Sequence, residues 1–108
     1  MRWLARLRPD RRPAAEVVLL TRRGCHLCAD MEEVVARVVG EGRGTAGLRP
    51  ASLSLVDVDE AGREDPALLE RYDTLVPVLL VDGVEVARWR VEEAAVRAAL
   101  RRRRRPGA

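Results

Sequence analysis

The pattern of apolar and polar positions predicts a strand, a tight turn and a helix in direct succession near the start of the chain. Four consecutive apolar residues, Val17 to Leu20, are typical of a short buried strand. Residues 22–24, Arg-Arg-Gly, then favour a turn. From Cys25 onward, valines at positions 34, 35, 38 and 39 recur at helical spacing. We therefore expect a helix that begins at Cys25 and packs one apolar stripe on a sheet.

The remaining pattern predicts three more strands and two more helices. The strands are expected at residues 51–59, 76–81 and 84–89, and the helices at residues 65–72 and from near residue 91. Asp65-Pro66 is typical of a capped helix start, and Asp82-Gly83 between two apolar runs is typical of a hairpin turn. The order β-α-β-α-β-β-α predicts an α/β fold whose four-stranded mixed sheet carries helices on both faces, with the first two strands parallel.

Length and charge divide the chain into one folded domain and two basic ends. At 108 residues there is room for one domain, which we place at residues 15–100. Residues 1–14 form a basic extension in which Trp3, Leu4 and Leu7 give a short apolar helical face, and residues 101–108 form an arginine-rich tail. All 20 basic residues are arginine, a bias that weakens any argument from arginine runs to nucleic acid.

No stretch of the sequence reads as a targeting or membrane segment. No run approaches the ~18 apolar residues of a membrane span, and the N-terminus lacks the apolar core of a secretory signal. We therefore expect a cytoplasmic, monomeric protein without a membrane span.

Both cysteines lie at the predicted helix start, in the pattern C-x-x-C. Free backbone N–H groups and the positive end of the helix dipole favour a thiolate at Cys25. Cys28 follows one turn later on the same side. Two cysteines only three residues apart cannot tie distant parts of a fold together, so the pair predicts dithiol redox chemistry.

The same residues offer few ligands for a metal ion. Cys25, His26 and Cys28 supply at most three donors, and the sequence has no other histidine and no second C-x-x-C. We predict no metal site and no bound cofactor. An iron–sulfur cluster that bridges two subunits through Cys25 stays open as an alternative.

Three features of the sequence resemble the thioredoxin superfamily, and most closely its glutaredoxin-like proteins, over roughly residues 15–100. They are TRRGCHLC after the first strand, the Val76-Pro77 pair, and the VDG hairpin before a terminal helix. The resemblance implies that Cys25 is the nucleophile and Cys28 the resolving cysteine. It also implies a cis bond before Pro77, with the backbone of Val76 pairing with an extended substrate.

The resemblance further implies roles for the basic residues beside the cysteines. Arg22 matches the basic residue that glutaredoxins keep near the thiolate, where it can also bind a substrate carboxylate. Arg23 is the alternative residue for this role. His26, as imidazolium, can stabilise the thiolate. Residues 87–90, Ala-Arg-Trp-Arg, stand where glutaredoxins have a glycine pair and an acidic residue that binds glutathione. Glutathione is therefore not expected to bind in the usual geometry. Another low-molecular-weight thiol or a protein disulfide is a comparable candidate ligand, and the reductant is expected to be an external thiol, such as glutathione, or a reductase.

Two functions from different classes follow. The first is a thiol–disulfide oxidoreductase that acts on protein or small-molecule disulfides. The second is a binding module without turnover, whose basic ends contact nucleic acid or another acidic partner. The C-x-x-C pair discriminates them, because a binding module has no need of it.

Overall fold

The computed structural model describes residues 14–42 and 47–101, and within them the expected element order is present with one additional helix. The strands are β1 (Ala15–Thr21), β2 (Ala51–Asp57), β3 (Val78–Val81) and β4 (Val84–Arg88). The helices are α1 (His26–Gly42), α2 (Val58–Ala61), α3 (Pro66–Tyr72) and α4 (Glu93–Arg101). The extra element is α2.

The four strands form one mixed sheet in the order β2-β1-β3-β4. β1 pairs in parallel with β2 and antiparallel with β3, and β3 pairs antiparallel with β4. The β1-α1-β2 unit and the β3-β4 hairpin therefore meet along β1, as expected of a thioredoxin-like fold. The carboxyl end of β1 and the start of β3 lie at the same end of the sheet.

Alternate residues of the strands point to opposite faces of the sheet and pack into two separate hydrophobic cores, one on each face. On one face, Val17, Leu19 and Leu79 pack against α1 and α4. On the other face, Leu20 and Val78 pack against α2 and α3. The valine stripe of α1 faces the first core as expected, with Val35 and Val38 fully buried. The sheet is thus covered on both sides, and α1 is held firmly against it.

Two local sequence signals are confirmed by the backbone. The Asp65 side chain caps α3 and accepts a hydrogen bond from the Leu68 N–H at 3.3 Å. In the hairpin turn, Asp82 and Gly83 have φ of 51° and 80°, both in the left-handed region that this turn type requires.

The bounds of several elements differ from the expectations. β2 ends at Asp57 and not at residue 59, because the Asp57 side chain accepts hydrogen bonds from the N–H groups of Asp59 and Glu60 and starts α2. The helix at Cys25 begins one residue later, at His26, and the last helix begins at Glu93. β3 begins at Val78, after Pro77, because a proline cannot donate to the ladder.

A buried ion pair joins three segments at the other end of the sheet. The Arg49 side chain is 4% exposed, and its Nη2 lies 2.7 Å from Oδ2 of Asp82 in the hairpin turn. Its Nε donates to the carbonyl of Leu100 in α4 at 3.4 Å. The segment before β2, the hairpin and the last helix are therefore tied together at this end.

Some expectations fall outside the described residues. They concern the apolar helical face at Trp3, Leu4 and Leu7 and most of the two basic ends. Among residues 14–42 and 47–101, no helix has the length and apolar character needed to cross a membrane.

Candidate functional site: the Cys25–Cys28 pair

The cysteine pair lies at the turn where β1 passes into α1. The turn includes Gly24, whose φ of 73° lies in the left-handed region, so a side chain at this position would strain the backbone. The next residue, Cys25, precedes the first residue of α1, and its carbonyl accepts the N–H of Ala29 at 3.1 Å. The sequence thus places Cys25 at the cap position of the helix.

The sulfur of Cys25 occupies the place of a capping side chain. The backbone N–H of Cys28 donates to Cys25 Sγ at 3.1 Å. This bond uses one of the free N–H groups of the helix start, where the helix dipole also favours negative charge. When the disulfide is reduced, the same N–H group is placed to donate to a thiolate at Cys25.

Cys25 and Cys28 form a disulfide, and the two cysteines differ in exposure. Their Cα atoms are 5.2 Å apart. Cys28 is only 3% exposed, whereas Cys25 is partly exposed. An incoming molecule can therefore reach Cys25 more easily than Cys28, which is consistent with the predicted roles of nucleophile and resolving cysteine.

An open depression of about 470 Å³ surrounds the pair. It is lined by Thr21 at the end of β1, by the turn residues Arg22 and Gly24, by both cysteines, and by His26, Ala29 and Glu32 of α1. The site is accordingly a shallow surface feature.

Arg22 borders this depression, but its guanidinium is bound by two aspartates. Its Nε and Nη2 donate to the carboxylate of Asp59 at 2.8 and 3.0 Å. Its Nη1 donates to the carbonyl of Asp73 at 2.9 Å, and Nη2 also bonds the Asp73 carboxylate. Arg22 therefore links the turn that carries Cys25 to α2 and to the end of α3.

This network shifts the pKa of two of its members, Asp59 and Arg22. The hydrogen bonds from Arg22 hold the pKa of the Asp59 carboxyl below its ordinary value, and they raise the pKa of Arg22 in return. The carboxylates of Asp59 and Asp73 both lie against the one guanidinium of Arg22 and offset its positive charge. The predicted action of Arg22 on the thiolate or on a substrate carboxylate stays a prediction.

Asp59 and Asp73 are the site residues that sequence reasoning missed. They lie 37 and 51 residues from Arg22 along the chain. The sequence pattern predicts a strand that includes Asp59. Nothing in a single sequence shows which arginine this aspartate contacts. A capping pattern at Asp57 was the available signal for the helix that carries Asp59.

The other two residues beside the cysteines are exposed. His26 is the first residue of α1 and lines the depression. Arg23 lines a neighbouring polar cavity of about 330 Å³, together with Asp59, Glu60 and Arg63. Of these two residues, the structure thus brings only His26 to the wall around the disulfide.

The Val76–Pro77 segment meets the site from β3. The bond between the two residues is cis, as predicted. Leu20 pairs with Val78 in antiparallel register. Thr21, which follows Leu20, therefore lies opposite Pro77, which precedes Val78. Pro77 is buried, and the side chain of Val76 packs in the second core. The backbone N–H and C=O of Val76 have no hydrogen-bond partner within the described residues. An unpaired backbone edge therefore lies at the cysteine end of the sheet.

The described residues offer no group of three or more histidine, cysteine or acidic side chains placed to hold a metal ion.

Comparison with known proteins assigns the family. The model of the glutaredoxin-like domain (DUF836) matches residues 16–101, which is most of the chain. The chain belongs to this family. Relatives from Mycobacterium bovis and Mycobacterium tuberculosis, both described as uncharacterized proteins, are 34% identical over 88 residues. These matches cover 81% of this chain and 84% of each relative.

A solved structure supports the fold of this glutaredoxin-like chain. A structure of a malarial protein matches it with a TM-score of 0.55 at 14% identity, over 81% of this chain and 93% of that one. At this identity the likeness concerns the fold alone. Family, fold and cysteine pair together give a thioredoxin-like scaffold that carries a redox-capable C-x-x-C site.

Proposed function

We propose that the protein is a thiol–disulfide oxidoreductase that reduces or exchanges disulfides through Cys25 and Cys28. The observation that carries the proposal is the hydrogen bond from the Cys28 N–H to Cys25 Sγ, at a helix start where Cys25 is accessible and Cys28 is buried. A binding module has no use for a capped, accessible sulfur beside a buried one.

The reaction proceeds by two exchanges. The Cys25 thiolate attacks one sulfur of a substrate disulfide, forms a mixed disulfide and releases the other substrate sulfur as a thiolate. Cys28 then loses its proton and attacks Cys25 Sγ, which forms the Cys25–Cys28 bond and releases the second substrate thiolate. The substrate gains two electrons, and both enzyme thiols are oxidised.

An external dithiol or two molecules of a low-molecular-weight thiol return the enzyme to its reduced form. Glutathione is one candidate, and a protein reductase is another. Residues 87–90, Ala-Arg-Trp-Arg, stand in the region where glutaredoxins have a glycine pair and an acidic residue, which favours a thiol bound in another geometry.

The surrounding residues have supporting roles in this scheme. The unpaired N–H and C=O of Val76 are suited to pairing with an extended substrate, and the cis Pro77 follows them directly. Arg22 fixes the turn before Cys25 through Asp59 and Asp73. His26 lies close enough in sequence to add positive charge beside the thiolate when it is protonated.

Single cysteine variants test the proposal. Cys28→Ser should still attack a disulfide but stop at the mixed disulfide, because no resolving thiol remains. Cys25→Ser should not react at all. Mass spectrometry of the protein after incubation with a peptide disulfide would show one added peptide on Cys28→Ser and none on Cys25→Ser. Equal adducts on both variants, or none on either, would contradict the assignment.

A further inference from the structure

Trp89 combines an unusual backbone conformation with an exposed aromatic ring. It directly follows β4 and has φ of 65°, in the left-handed region. For a bulky aromatic residue this conformation is a genuine outlier. The residue is nevertheless 48% exposed, so burial of the indole does not explain why the chain tolerates the strain. Strained residues of this kind cluster at binding sites.

Hydrogen bonding and strand register place Trp89 at the cysteine end of the sheet. Its N–H donates to the carbonyl of Pro77 at 2.7 Å. Val78 pairs with both Leu20 and Arg88, so the next row across the sheet joins Thr21, Pro77 and Trp89. With neighbouring strands about 4.8 Å apart, the backbone of Trp89 lies roughly 10 Å from that of Thr21.

This position sets the backbone of Trp89 beside the unpaired backbone edge. The hydrogen bond to Pro77 fixes Trp89 one residue away from Val76, whose N–H and C=O lack partners within the described residues. Thr21, at the far side of the same row, lines the depression around the cysteines. A chain that pairs with Val76 and presents a sulfur to Cys25 therefore passes close to Trp89.

We propose that Trp89 is a specificity-determining residue, which packs its indole against an apolar or aromatic side chain of a polypeptide disulfide. The inference rests on the proposed function and names its substrate class. Contact between the two apolar surfaces removes both from water, and an aromatic partner adds a ring contact. An extended chain rises about 3.3 Å per residue, so the side chain that reaches Trp89 lies within about three residues of the substrate cysteine.

Peptide disulfides test this directly. The parent peptide carries serine at the three positions on each side of its disulfide-bonded cysteine, and six derivatives carry one phenylalanine each. For the natural protein, at least one derivative should exceed the parent in kcat/KM by about tenfold, mainly through a lower KM. Trp89→Ala should bring that ratio close to one, and Trp89→Phe should restore part of it.

Val84→Ala is the matched control. Val84 is 62% exposed and begins the same strand, but at the hairpin end of the sheet. This variant should keep the full preference for the phenylalanine peptide. Because the readout is a ratio of two substrates on one protein, a partly folded Trp89→Ala preparation does not distort it.

A spectroscopic measurement gives a second test. The chain has two tryptophans, so Trp3→Phe leaves Trp89 as the only one. In a Cys28→Ser background, forming the mixed disulfide with the preferred peptide should shift Trp89 emission to shorter wavelength, and the serine parent should not. No preferred phenylalanine position, or a preference that survives in Trp89→Ala, would overturn the inference while leaving the oxidoreductase intact. Failure to reduce any peptide would instead overturn the proposed function.

Discussion

At the scale of single residues, the environment of Cys25 separates two sources of positive potential. The N–H of Cys28 and the start of α1 act on the sulfur directly. Arg22 is nearby, but its charge is matched by Asp59 and Asp73. We therefore expect the backbone, and not the arginine side chain, to set the acidity of the reduced thiol.

Alkylation of the reduced protein checks this balance. Cys25 should react with a midpoint well below the ordinary thiol pKa of about 8.5, and the buried Cys28 should react much more slowly. A neighbouring cation usually lowers the pKa of an acidic group by about one to three units. Because Arg22 is paired with two aspartates, the midpoint for Cys25 in Arg22→Gln should rise by less than about one pH unit. Rates of iodoacetamide labelling against pH, resolved by peptide mapping, measure both quantities.

Arg23→Gln is the matched control, since Arg23 is adjacent and exposed. It should leave the midpoint for Cys25 unchanged within error. A rise of two units in Arg22→Gln alone would show that Arg22 acts on the sulfur despite its two aspartates.

At the scale of elements, the contact between α2 and α3 depends on a glycine. A Cβ added at Gly62 would lie 2.6 Å from Leu69 Cβ and 2.8 Å from the carbonyl oxygen of Val58. Neither a Cβ nor a backbone oxygen can move aside easily. The two short helices can therefore approach each other only because position 62 has no side chain.

Two glycine substitutions should have opposite effects on stability. Gly62→Ala should lower the free energy of unfolding by about 1–3 kcal/mol through overpacking. Gly40→Ala should raise it by about 0.5–1 kcal/mol, because Gly40 lies within α1 and a Cβ there meets nothing within 4 Å. Urea unfolding followed by circular dichroism measures both changes. Destabilisation by both variants would show that α1 is not helical at Gly40.

The elements also show what the sequence pattern could predict. The order of elements along the chain, the hairpin at Asp82-Gly83 and the cap at Asp65 follow from local signals, and all are present. The helix α2 was missed because residues 56–59, Val-Asp-Val-Asp, again alternate apolar and polar residues after the Leu55-Val56 pair, as a strand does. Local alternation cannot show that the Asp57 side chain caps a helix. The cap forms only where the backbone turns, so that the N–H groups of Asp59 and Glu60 reach the Asp57 carboxylate.

At the scale of the whole molecule, the cysteine site and the buried ion pair that joins three segments lie at opposite ends of the sheet. The cysteines and Val76–Pro77 lie at one end, and the buried Arg49–Asp82 pair lies at the other. The partners of this pair are 33 residues apart. With 20 arginines and 17 acidic residues in the chain, the sequence gives no means of choosing this pair over the others.

Asp82→Asn should therefore affect stability and not chemistry. It removes the charge that faces the buried Arg49 guanidinium, so the free energy of unfolding should fall by about 3 kcal/mol. Glu85→Gln, which breaks the exposed pair with Arg88, should cost about 1 kcal/mol or less. Thermal and urea unfolding measure the difference, and the alkylation rate of Cys25 in the folded protein should be unchanged in both variants. A changed rate in Asp82→Asn would show that the two ends of the sheet are coupled.

The strand order has a consequence for the protein during its synthesis. β1 lies between β2, which ends at Asp57 near the middle of the chain, and β3, which begins some 20 residues later at Val78. A nascent chain that has emerged only as far as Asp57 thus contains both thiols and the helix that activates one of them. It lacks the Val76–Pro77 edge and Trp89, which would restrict what that sulfur meets. In the proposed function, selectivity therefore arrives later than reactivity, because Trp89 lies in the last quarter of the chain, which leaves the ribosome last.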